Sequence, residues 1–260
     1  MSGTHPNARP RARLDAAEAG ARRTRRRAAI GVLLLAAATV GCAPARRPAR
    51  PAADARPAPV PALYDTQRRI ADYIDSGRYD AEVARVVAQA AAWLDRRAPE
   101  VRKPAIVLDI DETALSNWRA YRVNGWARIT NGPCDVERGP CGIHAWQAMA
   151  GGVAIAPTLR LVERARVLGV AVFFLTGRPT EVREVTERNL REQGFDWDRV
   201  IMLPSDRRFR SGVDFKAPER KRLVDAGYTI VLSLGDQQSD LDGGHAERTF
   251  KLPNPVYYLP

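Results

Sequence analysis

Short apolar runs alternate with helical patterns from Ala105 to the end of the chain, and this alternation limits the fold more than any other feature. The strand-like runs are Ala105–Ile110, 170–176, 200–203 and 229–236, and the helical patterns fall at about 158–168, 180–193 and 217–226. Apolar strands separated by helices predict an α/β fold with a doubly wound parallel sheet. Ligands of such sheets sit in a crevice at the carboxyl ends of the strands. Upstream, Ile70, Tyr73 and Ile74 make one apolar face, then Val83, Val86, Val87, Ala90 and Leu94 recur at helical spacing. These predict an N-terminal helical extension.

Three of the predicted strands end in polar residues. The first runs into Asp109, Asp111 and Glu112, the second into Thr176-Gly177-Arg178, and the third into Gly235-Asp236 with Asp240 beyond. Lys216, one of four lysines beside 37 arginines, lies in the segment before the last of these strands, which reads as the loop preceding it. Alone, each motif fits an ordinary turn, cap or solvated charge. Together they meet at one edge of the sheet. Period-two geometry puts Asp109 and Asp111 on one side, about 6.5–7 Å apart. Carboxylates at the end of a core strand are costly unless something pairs with them. With Asp236 they form an oxygen-only anionic pocket of the kind that suits Mg²⁺.

The segments "VLDIDET", "FFLTGRP", "FKAPERKRL", "GYTIVLSLGDQQSDL" and "KLPNPVYYLP" carry a family resemblance. From about Tyr64 to Pro260 the chain resembles the haloacid-dehalogenase (HAD) superfamily of aspartate-nucleophile phosphatases. Within it, the chain resembles the acid phosphatase group that includes bacterial surface lipoproteins and plant vegetative storage proteins. The resemblance implies a HAD-like Rossmannoid fold. It also implies that Asp109 attacks phosphorus, and that Asp111 protonates the leaving alcohol and later takes a proton from water. Mg²⁺ would be held by Asp109, Asp236 and the backbone carbonyl of Asp111. Thr176 would bind a phosphoryl oxygen, Lys216 would neutralise charge, with Lys221 as a rival, and Asp240 would support Lys216 or a metal-bound water. Arg178 is read either as a substrate contact or as a structural ion pair. Other phosphatase chemistries lack their parts: the chain has no Cys-x₅-Arg loop, no Arg-His-Gly, no Walker-type loop and three histidines in all.

The stretch 114–156 is too long for a plain loop and predicts a small cap over the site. Its Trp118, Tyr121, Trp126 and Trp146 either stack on a nucleobase or aromatic leaving group, with Trp118 and Tyr121 as the candidate contacts, or form the cap's own core. Cys134 and Cys141 are expected to pair as a disulfide.

The net charge of +11 is concentrated upstream: residues 1–60 hold twelve Arg and three acidic residues, whereas residues 61–260 are close to neutral. No nucleic-acid partner is expected of the globular part. "ARRTRRR" followed by the apolar run Ala28–Val40 reads as a signal peptide spanning 1–42. "TVGC" resembles a lipobox, which makes Cys42 a candidate for lipidation and the membrane a partner; ordinary cleavage after Ala38 is the other reading. Residues 43–62, rich in Pro, Ala and Arg, read as a tether, and 63–260 as the phosphatase domain. The expected protein is exported, periplasmic or at the cell surface. It would be an Mg²⁺-dependent acid phosphatase for small phosphomonoesters, nucleoside monophosphates among them. The alternatives are a phosphotransferase on the same fold and a non-catalytic surface protein used for binding or storage.

Overall fold

The structure, a computed structural model, describes residues 60–260; the leader, Cys42 and nearly all of the tether lie outside the described residues. Two helices open the described chain, α1 (Leu63–Asp75) and α2 (Arg78–Arg97), joined at Gly77, whose φ of 74° is a left-handed turn that glycine adopts without strain. α2 buries Tyr79, Val83, Val86, Val87, Ala90 and Leu94, one stripe at helical spacing.

Next come β1 (Pro104–Leu108), β2 (Leu115–Ser116), α3 (Trp118–Val123), α4 (Ile143–Ala148) and β3 (Val153–Ala154). They are followed by α5 (Ala156–Val167), β4 (Ala171–Pro179), α6 (Arg183–Glu192), β5 (Arg199–Leu203), α7 (Gly212–Asp225), β6 (Thr229–Gly235) and β7 (Thr249–Lys251). The main sheet is parallel, in the order β5-β4-β1-β6-β7. The chain leaves β1 toward β4 and β5, then returns to the other side of β1 as β6. That reversal opens the ligand crevice beyond β1 and β6. One face of the sheet packs on α2, α5 and α6 through Leu94, Leu161, Val162 and Leu190; the other packs on α7 through Phe215 and Leu223.

Register sets the site. Leu108 of β1 pairs with Phe174 of β4 and with Leu234 of β6. Asp109, Thr176 and Asp236 therefore leave the sheet at nearly one level.

Two differences from the sequence reading have physical causes. Lys216 is in α7, not in a loop: the Ser211 hydroxyl accepts the Asp214 N–H at 3.3 Å and starts the helix well before Pro218. The strand β7 was not expected; it is three residues long, with Phe250 alone buried, too short for a periodic signal.

The stretch 114–156 folds as α3, α4 and the two-stranded β2–β3 ribbon. Ala120, Tyr121, Trp126, Ile143 and Trp146 form a core of their own there, with Ile70 and Ile74 of α1 packed on it. Cys134 and Cys141 are joined as a disulfide inside this cap.

Candidate active site

The β1 end delivers Asp109, the β6 end delivers Asp236, and the turn after β6 delivers Asp240. One carboxylate oxygen from each lies within 4.8 Å of the other two, and all three residues are buried. Gly235 permits this approach: a Cβ there would meet the Asp240 side chain at 2.5 Å. Lys216 reaches in from α7, its Nζ 2.5 Å from Asp109 Oδ1 and 2.6 Å from Asp240 Oδ1. Asp236 accepts from Gln237 Nε2 at 2.6 Å and Asn254 Nδ2 at 2.7 Å.

Burial, followed by the neighbouring Asp240 and Asp236, pushes the Asp109 carboxyl well above the usual range, although Lys216 opposes the shift. Burial, Asp240 and Glu112 raise Asp236 to about 8. Lys216 loses by burial but gains more from Asp109 and Asp240, and so keeps its charge. Were all three carboxylates to ionise, one ammonium would leave the cluster two positive charges short. A hard divalent cation fits that deficit and an all-oxygen donor set. The buried aspartates can therefore hold such a metal.

Asp111 points elsewhere. Arg178 Nη2 lies 2.7 Å from its Oδ1 and Arg178 Nε 3.0 Å from its Oδ2, with Asn117 Nδ2 2.8 Å from Oδ1 and Gln147 Nε2 3.3 Å from Oδ2. Burial works to raise this carboxyl, but the Arg178 charge and these hydrogen bonds outweigh it and hold it below the usual range. Arg178 is thus ion-paired with Asp111 and also lines the cleft. The Asp111 carboxylate is also outside the three-carboxylate cluster, which contains Asp240 in its place.

Thr176 is buried, and its Oγ1 accepts the Arg178 N–H at 3.2 Å. Lys221, the rival to Lys216, pairs instead with Asp225 on the exposed face of α7. Trp118 is not among the residues that line the cleft, and of its two readings the packing one matches its surroundings. Its ring packs edge-on against Tyr79, Tyr121 and Trp126, because burying a large apolar surface in the cap core outweighs exposing it. Tyr121 reaches the cleft wall, but it is 1% exposed and its hydroxyl faces Glu112.

Glu112, to which the sequence assigned no role, is fully buried at a left-handed φ of 54°. It accepts from Asn117 N and from the Tyr257 hydroxyl, both at 2.7 Å. Burial and Asp111 raise it to about 8. The closing segment also ties down the β6 turn, since Leu259 N donates to Gln237 Oε1 at 2.9 Å and Ser239 Oγ donates to Leu259 O at 3.0 Å. The fully buried Arg220 fixes the same turn through the carbonyls of Asp240, Asp242 and Gly244. The tail "KLPNPVYYLP" was visible as a motif, but nothing local linked it to these partners. The cleft over the cluster has a volume of about 130 Å³, and Arg128, Ile143, His144 and Gln147 of the cap line it.

A family described as "HAD superfamily, subfamily IIIB (Acid phosphatase)" matches residues 43–260. The Stem 28 kDa glycoprotein of Glycine max is 34% identical over 193 residues, 72% of each chain. Acid phosphatase 1 of Solanum lycopersicum is 31% identical over 193 residues, 73% of each. The Class C acid phosphatase of Bacillus anthracis superposes with a TM-score of 0.60 at 22% identity, over 75% of this chain and 86% of that one, a likeness of fold.

Proposed function

The chain belongs to the HAD superfamily, subfamily IIIB, and is an acid phosphatase acting on phosphomonoesters; from that premise we propose that it is an exported, Mg²⁺-dependent enzyme that works through an aspartyl-phosphate on Asp109. The observation that carries this reading is the buried contact of Lys216 with Asp109 and Asp240 beside Asp236. Such a cluster is repulsive without a cation, and its chemistry suits anionic phosphoryl groups.

Asp109, Asp236 and Asp240 are the carboxylates that would hold Mg²⁺, with the Asp111 carbonyl as a further ligand. When bound, the cation would offset repulsion between an anionic nucleophile and an anionic substrate. Asp109 attacks phosphorus as the bond to the leaving oxygen breaks, and Lys216 holds the nucleophile while neutralising charge. Thr176 Oγ1 accepts from Arg178 N, so its own hydrogen is free for a phosphoryl oxygen.

The leaving alcohol needs a proton. Asp111 is ionised at rest, so a monoanionic phosphomonoester, the form present below a second pKa of about 6, supplies that proton through Asp111. The products are then the free alcohol and dianionic aspartyl-phosphate. In the second step water attacks that phosphorus as its bond to Asp109 breaks, and Asp111 takes the water's proton and passes it to the departing phosphate, so that H₂PO₄⁻ leaves and both aspartates return to the ionised form.

A cap closed by a disulfide supports export to an oxidising compartment. Anchoring through a lipid on Cys42 remains part of the proposal and rests on the lipobox-like "TVGC". Hydrolysis of phenyl phosphate with Mg²⁺ and with EDTA, beside Asp109→Asn, tests the reading. Metal-dependent turnover that vanishes in the folded variant supports it. Turnover that persists in the variant refutes it. Mass-spectrometric detection of diacylglycerol on Cys42 in membranes tests the anchor.

A further inference from the structure

Two of the cations in the cleft are already committed, Lys216 to Asp109 and Asp240, and Arg178 to Asp111. With Asp236, the cleft sets four carboxylates against these two cations. A divalent metal brings that set to balance, so a second anion on the substrate would find no partner among them.

The cap supplies one. Arg128 lines the same cleft, and among the described residues no carboxylate lies in ion-pair reach of it; its one polar contact there is Nη1 to Thr130 Oγ1 at 3.3 Å. Its guanidinium sits 5.5 Å over the Tyr257 ring, whose hydroxyl is bonded to Glu112. The arginine therefore rests on a fixed platform, and its other donors have no partner among the described residues. His144 lines the cleft next to it. Ile143 N donates to Ile129 O at 2.8 Å and His144 N to Thr130 O at 3.2 Å, which zips the two cap segments together. His144 Nδ1 lies 3.1 Å from Asn131 Oδ1, while Nε2 has no partner among the described residues.

Aromatic faces are scarce at the same wall. Tyr121 packs between Trp118 and Tyr257, and Tyr257 lies between Tyr121 and Arg128. The cap wall of the cleft thus offers charge more than an aromatic face for stacking.

We propose that Arg128, with His144 beside it, binds a second anionic group on the leaving alcohol, so that the preferred substrates are phosphomonoesters whose alcohol carries a carboxylate or another phosphate. This specificity rests on the phosphatase reading above.

The test compares kcat/KM of the Mg²⁺-loaded full chain for phenyl phosphate, 4-carbamoylphenyl phosphate and 4-carboxyphenyl phosphate. The last two differ in charge at nearly constant shape. The expected result is a preference of about tenfold for the carboxylate over the carboxamide, the scale of one charge-assisted hydrogen bond. Arg128→Gln collapses that ratio toward one, and Arg128→Lys restores part of it. A wild-type ratio near one, or an Arg128→Gln variant that loses all three substrates equally, overturns the proposal and leaves the phosphatase reading intact. No turnover of any of the three by the wild type overturns both.

Discussion

Lys216 Nζ and Asp109 Oδ1 meet at 2.5 Å although 107 positions separate them in the chain. One comes from the N-terminal half of α7 and the other from the end of β1, and the fold brings them together. Both are buried, and Lys216 also bonds Asp240. The ammonium is therefore the internal counter-charge of the cluster. Lys216→Met leaves two buried carboxylates without it. We expect a loss of about 3–5 kcal/mol in chemical denaturation, the scale for breaking a buried ion pair. We also expect kcat to fall about 10²–10³-fold, as when one oxyanion donor is removed.

The buried acids set a pH dependence of stability in the metal-free protein. Glu112 and Asp236 stand at about 8 in the fold, against ordinary values of 4.5 and 3.8. Between the unfolded and folded values the folded state binds more protons, so stability falls as pH rises through that window. Their contribution is full below the unfolded values and is lost as pH rises through about 8. Metal binding needs ionised carboxylates and so opposes the loss. With EDTA, the melting temperature should be higher at about pH 5 than at about pH 8.5, and Mg²⁺ should narrow that gap.

Asn254 and Tyr257 bring the closing segment to the site. Asn254→Ala removes the 2.7 Å bond to Asp236 and should weaken Mg²⁺ binding about 10–100-fold, read by calorimetry on metal-free protein. Tyr257→Phe removes the 2.7 Å bond to Glu112 and should cost about 1.5–3 kcal/mol, read in denaturant.

Arg178→Gln frees Asp111 from the charge that holds its carboxyl low. The carboxyl then rises, and the ionised form needed to take a proton from water is lost at a higher pH. The acid limb of the kcat profile should move upward in pH, which a purely structural role for Arg178 would not produce.

The sequence made the strand ends readable because period-two spacing fixes which side Asp109 and Asp111 share, and because glycine and aspartate punctuate β6. The helical pattern of α7 reads from about 217, whereas the helix starts at Gly212, because the Ser211 cap carries little local signal. The distant partner of Glu112 was invisible for a different reason: Tyr257 is 145 positions away, and only the fold brings that segment across the site. Trp118 shows the limit of composition. An aromatic residue in a cap is equally consistent with stacking on a ligand and with packing, and only its neighbours Tyr79, Tyr121 and Trp126 decide.

The central claim is that Asp109 becomes phosphorylated, and acid quenching during turnover tests it most directly. Mg²⁺-loaded protein mixed with phenyl phosphate would be quenched, reduced with borohydride and digested, then read by mass spectrometry. A phosphorylated aspartate is reduced to homoserine. The account predicts homoserine at position 109, dependent on both substrate and metal, and none at Asp111. Steady turnover with Asp109 unmodified, or with the modification on another residue, would contradict it.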